Sequence, residues 1–70
     1  MESKEILMEI AKERVRQDHL HPENKIGDYL PILIEEVGEV ARAIQIGDLD
    51  NLKEELIQVM AVCYRWMEEL

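Results

Sequence analysis

An all-α fold of three helices is predicted from three observations. Apolar residues recur at helical spacing in three successive segments. The breaks between the segments carry Pro22, Gly27 and Gly47, residues that interrupt helices. The connection after Gly47 is so short that the second and third helices must form an antiparallel hairpin. The helices are expected at about 3–18, 28–46 and 49–70, in a single domain spanning 1–70. Seventy residues bury only a modest core, so the helical bundle is expected to be completed by oligomerisation.

Ser3 is the expected N-cap of the first helix, with Glu5 in its first turn. Ile6, Leu7, Ile10, Ala11 and Val15 give it an apolar face, and it should end near Asp18. Lys12 and Arg16 share another face at i, i+4 spacing, which is either a solvated surface or an edge that contacts substrate phosphates. His19 and His21 follow, in the one long irregular stretch. Alternate histidines with no cysteine nearby make a weak zinc signal, so they are read as surface or packing residues.

Asp28 is placed as the N-cap of the second helix, with Pro31 in its first turn, where the missing N–H costs little. Its core face should be Leu33, Val37, Val40 and Ile44, which fall within ~60° of one another at ~100° per residue. Gly47 should end it as a C-cap glycine. Gly38, inside it, costs ~1 kcal/mol relative to Ala and is attributed to the close approach of another helix. Asp48 or Asp50 caps the third helix. Its Val59–Tyr64 run is apolar on nearly every side, and two short helices cannot cover it. Another copy of the chain is the expected cover, with Val59, Met60, Cys63 and Met67 in or beside the interface.

The formal net charge is −8. Residues 21–70 hold eleven acids against four basic groups, a balance that argues against binding duplex nucleic acid through its phosphates. No apolar run approaches the ~18 residues of a membrane span, and no membrane partner is expected. Cys63 is the only cysteine, so an internal disulfide is impossible and a reducing, cytoplasmic setting is expected.

Function is written in an internal echo. Shifting Glu35-Glu36-Val37-Gly38-Glu39 by 19 positions lands it on Glu54-Glu55-Leu56-Ile57-Gln58. The flanking apolar positions match too: Leu30 with Leu49, Leu33 with Leu52, Val40 with Val59. Glu36 and Glu39 lie at the border of the apolar face, in the angular zone of Ile32 and Ala43. Glu55 and Gln58 do the same on the third helix, beside Val62. In an antiparallel hairpin these flanks point either toward each other or away. In the first arrangement Glu36, Glu39, Glu55 and Gln58 converge on one groove. Three close carboxylates repel and raise each other's pKa, so some are protonated or a cation sits among them. Hard oxygen ligands suit Mg²⁺ or Mn²⁺ rather than Zn²⁺.

Glu-Glu-x-x-Glu on one helix, followed by Glu-x-x-Asp on the next, resembles the MazG-like, all-α nucleoside triphosphate pyrophosphohydrolase superfamily. Glu35-Glu36-Val37-Gly38-Glu39 matches the first motif in full, and Glu55-Leu56-Ile57-Gln58 matches the second except at its last position. The likeness extends through Tyr29–Leu33 and Gln58–Val62, covers roughly residues 12–70, and is greatest to small phage and bacterial MazG-like proteins. It implies a homodimer or homotetramer that uses Mg²⁺ to hydrolyse a nucleoside triphosphate to monophosphate and pyrophosphate. By position Glu36, Glu39, Glu55 and Gln58 would be metal ligands, with Glu35 binding a second ion or orienting the water. Gln58 departs from the pattern. An amide oxygen can ligate Mg²⁺ but carries no charge, which weakens the site; Glu54, at i, i+4 from Gln58, is a candidate to compensate. The departure keeps open a second reading, a non-catalytic helical module that kept the fold and lost the chemistry.

Overall fold

The computed structural model describes residues 1–70 and is built of three helices: α1 (Ser3–Leu20), α2 (Tyr29–Ile46) and α3 (Leu49–Glu68). A short 3-10 turn, Ile26–Asp28, leads into α2. The three-helix expectation holds. α1 runs two residues past Asp18, and α3 stops two short of Leu70.

The helix ends follow from local chemistry. Glu2, not Ser3, is the N-cap of α1, and its backbone N–H donates to Glu5 Oε1 at 3.4 Å. Asp28 occupies the N-cap position of α2, but its carboxylate turns back and accepts from the Lys25 N–H at 2.7 Å, closing the 3-10 turn instead. Gly47 ends α2 with φ of +72°, a left-handed conformation that L side chains rarely adopt. Asp48 caps α3, with Oδ1 accepting from the Asn51 N–H at 3.0 Å.

α3 is the central helix. Both α1 and α2 pack along it, while α1 and α2 scarcely meet. Its Ile57, Ala61, Val62 and Arg65 are buried, and Tyr29 and Ala43 of α2 close over them. This arrangement corrects two sequence-based faces. On α1 Ile6 and Ile10 turn inward, but Leu7 and Val15 are exposed, because the inner stripe continues through Glu13 and Gln17. On α2 Leu33 and Val40 are half-buried while Val37 and Ile44 are exposed. α2 is covered from one side only, so its buried flank is the one carrying Ile32, Glu36 and Ala43.

The uncovered side is regular. Leu30, Ile34, Val37, Ala41 and Ile44 are all exposed and follow a four-three spacing along α2. Leu49, Leu56, Met60 and Met67 continue the pattern on α3. A Cβ added at Gly38 would meet nothing within 4 Å, so no helix of the same chain is the reason for that glycine. No helix is long and apolar enough to cross a membrane.

Candidate metal centre

The α2–α3 hairpin turns the two echoed flanks toward each other. Glu36 and Glu39 are one turn apart on α2, as are Glu55 and Gln58 on α3, so each pair shares a helix face. Carboxylate oxygens of Glu36, Glu39 and Glu55 lie within 4.8 Å of one another. None of the chain's ion pairs involves these three acids. Partial burial, followed by the charges of Glu39 and Glu55, pushes the Glu36 carboxyl up to about 7. Glu55 is also raised, first by burial and then by its contact with the Glu39 carboxyl. The cluster therefore holds negative charge that no ion pair in the chain offsets. Three hard oxygen donors at this separation fit a divalent cation of the Mg²⁺ or Mn²⁺ type.

Gln58 brings its side-chain amide to the cluster, with one end of the amide 2.9 Å from Glu55 Oε2 and 3.0 Å from Glu36 Oε2. With its NH₂ end toward them it hydrogen-bonds both acids; with its oxygen toward them it adds a fourth hard donor to the three carboxylates. Glu35 and Glu54 are exposed and lie outside the three-acid cluster.

The acids line a cleft of about 310 Å³. Ile32 and Val62 form apolar walls beside them, as their helical angles require. The opposite wall comes from the end of α1 and the loop beyond it, with Arg16, Gln17 and His21, and from Arg65 of α3. Arg16 reaches this wall while paired to Glu13 at 3.0 Å. Lys12 does not line the cleft; it pairs with Glu9 at 3.2 Å and lines an open groove between α1 and the first half of α3. His19 is exposed on the last turn of α1.

Two wall residues carry no motif. Gln17 is 6% exposed, and its Nε2 donates to Glu13 Oε2 at 2.9 Å and to the Gln58 backbone carbonyl at 3.2 Å. It thus ties α1 to the turn of α3 that holds Gln58. Arg65 is 4% exposed and interrupts the apolar run of α3. That interruption was the available signal, since a charge amid core residues must find partners.

A family model describing the MazG nucleotide pyrophosphohydrolase domain matches residues 24–67, well over half of the chain. The chain belongs to this MazG family. The matched segment holds the whole acid cluster and leaves out α1. No curated protein and no solved structure matches the chain. MazG domains are generally dependent on a divalent metal and act on nucleoside triphosphates. The three-carboxylate cluster of this MazG domain is the group of residues suited to hold such an ion.

Proposed function

We propose that this chain is a Mg²⁺- or Mn²⁺-dependent nucleoside triphosphate pyrophosphohydrolase, which adds water across the α–β phosphate bond and releases nucleoside monophosphate and pyrophosphate. The observation that carries the reading is the convergence of Glu36, Glu39 and Glu55 within 4.8 Å, unpaired with any cation, inside the matched MazG segment. These three acids hold the ion. A bound divalent ion there offsets phosphate charge and lowers the pKa of a bound water. Arg16, on the facing wall, contacts the phosphate chain, and the apolar shelf of Ile32 and Val62 takes the less polar part of the substrate. Glu35, on the solvent side of Glu36, orients the attacking water or takes a second ion. The domain's own work is placement and electrostatics.

The active form is a homodimer or homotetramer in the cytoplasm. Support comes from the exposed apolar stripes of α2 and α3, two helices packed as a hairpin of the kind that pairs into a four-helix bundle.

One observation favours a second reading, a non-catalytic MazG-like module. Gln58 supplies a neutral amide where the family pattern has a carboxylate. A screen of triphosphates with Mg²⁺, reading pyrophosphate against orthophosphate, separates the two. Pyrophosphate release supports the hydrolase. An inert wild type whose Gln58→Asp variant gains activity identifies the module.

A further inference from the structure

Glutamine is seldom fully buried, yet Gln17 is the one buried residue of α1. It continues the inner stripe of Ile6 and Ile10. Its carboxamide cannot turn over. Both hydrogens of its NH₂ group are committed, one to Glu13 Oε2 at 2.9 Å and one to the Gln58 backbone carbonyl at 3.2 Å. Reversing the amide would set an oxygen against two acceptors, so these partners fix which end is which. The oxygen is left as an acceptor held in one place. Oε1 is buried and has no hydrogen-bond partner. Nearly all buried polar atoms of folded proteins are paired, and an orphaned acceptor is costly.

The position of Gln17 points to the missing partner. The residue lines the acid cleft, on the wall facing Glu36, Glu39 and Glu55, and the apolar shelf of Ile32 and Val62 belongs to the same cleft. A flat, partly apolar group seated on that shelf lies within the cleft that Gln17 walls. An acceptor that cannot become a donor reads one feature of a nucleobase. Cytosine and adenine carry an amino group, a donor, where uracil and hypoxanthine carry a carbonyl oxygen, an acceptor. The amino group satisfies the orphaned oxygen. A carbonyl there would be repelled and would leave both oxygens without a partner.

We propose that Gln17 Oε1 is the base-reading group of the cleft and selects nucleotides whose base presents an amino group, cytosine or adenine, over the oxo bases uracil and hypoxanthine. This selection presupposes that the cleft takes a nucleotide, as proposed above. Leu20, exposed one turn further along the same wall, is the side chain that gives way as the base enters.

Two substrate pairs that exchange the amino group for an oxygen, CTP with UTP and ATP with ITP, test this. kcat/KM is measured with Mg²⁺ on wild type and Gln17→Met. The Kd values of CMP, UMP, AMP and IMP are measured by calorimetry, which needs no turnover. Wild type should favour the amino member about tenfold or more in at least one pair, because a site built to hydrogen-bond a group discriminates strongly against its absence. The pair that shows it tells cytosine from adenine. Gln17→Met should cut the preference about threefold or more; a smaller cut overturns the proposal, because selection then lies elsewhere. Hydrolysis of all four triphosphates with a smaller preference in both pairs overturns it and leaves the hydrolase reading standing. Selective binding of a monophosphate without any hydrolysis supports it and removes the hydrolase. A protein that neither binds nor hydrolyses any of them overturns both. Should Gln17→Met not fold, the ¹³C resonance of the wild-type Gln17 side-chain carbonyl decides. It must move on saturation with the favoured monophosphate and not with its oxo counterpart, and a resonance that stays in place overturns the proposal.

Discussion

Arg65 donates from Nε to Asp18 Oδ1 at 2.9 Å, joining the last turns of α3 and α1 across 47 positions of the chain. The same guanidinium donates from Nη2 to the His21 carbonyl at 3.0 Å and lies over the Tyr29 ring, 5.6 Å from its centroid. Trp66 stacks with Tyr29, their ring centroids 6.2 Å apart. One side chain thus anchors the end of α1, the loop after it and the start of α2 to the central helix. That anchoring shapes the wall of the cleft facing the acids.

Arg65→Met should therefore destabilise the domain by roughly 1–3 kcal/mol, the range for losing hydrogen bonds from a charged donor, since the half-exposed Asp18 keeps its pair with Arg14. Urea denaturation measures it. Arg65→Lys keeps the charge but cannot reach both partners with a planar fork, and should recover less than half of the loss. Equal stability of all three proteins would make the contact incidental.

The raised Glu36 carboxyl sets a pH dependence. Its value moves from 4.5 to about 7 on folding. A carboxyl raised in this way contributes stability that is fully present below its unfolded value and lost as pH rises through its folded value. The metal-free domain should weaken between about pH 4.5 and pH 7 from this group. Glu36→Gln removes the titration. In EDTA the variant should match wild type near pH 4.5 and exceed it at pH 8, as read by denaturant midpoints at each pH. A constant difference across the range would remove Glu36 as the cause.

The exposed stripe Leu30, Ile34, Val37, Ala41 and Ile44 should be an interface between copies. Sedimentation at micromolar concentration should give a species of at least twice the 8.2 kDa chain mass. Val37→Lys puts a charge at the centre of the stripe and should yield monomer or unfolded chain, separated by circular dichroism. A folded wild-type monomer of 8.2 kDa would sink the idea.

The three helices and the acid cluster were legible because both rest on periodicity. Equal angular offsets on two helices joined by a short turn leave only two arrangements, and the hairpin takes the converging one. Other features were not legible, for physical reasons. The core faces of α1 and α2 were misplaced at Leu7, Val15, Val37 and Ile44, since an apolar stripe does not say whether it meets its own chain or another. The cap at Glu2 and the reversal of Asp28 turn on local backbone geometry, which residue type leaves undetermined. Which end of the Gln58 amide faces the two carboxylates is likewise not set by residue type. Gln17 and Arg65 take their roles from contacts 41 and 47 residues away, beyond any local pattern.

The same geometry separates the two basic residues proposed for substrate. Arg16 lines the acid cleft and Lys12 does not, although they are one turn apart on α1. If the cleft is the substrate site, Arg16→Ala should raise KM severalfold with a smaller effect on kcat, because it removes a phosphate contact made before and during the reaction. Lys12→Ala should change neither, its only ion pair being an exposed one with Glu9, worth under about 1 kcal/mol. Glu39→Gln and Glu55→Gln should abolish turnover and also abolish most of the rise in melting temperature that Mg²⁺ gives wild type. A ligand binding only the folded state adds about 2.7 kcal/mol at a hundredfold excess over Kd, so the loss is measurable. Mg²⁺ stabilising wild type and all acid variants equally would point to general screening of the −8 charge instead of a site. A Lys12→Ala defect larger than that of Arg16→Ala would move the substrate into the open groove between α1 and α3, and would displace the cleft from its assigned role.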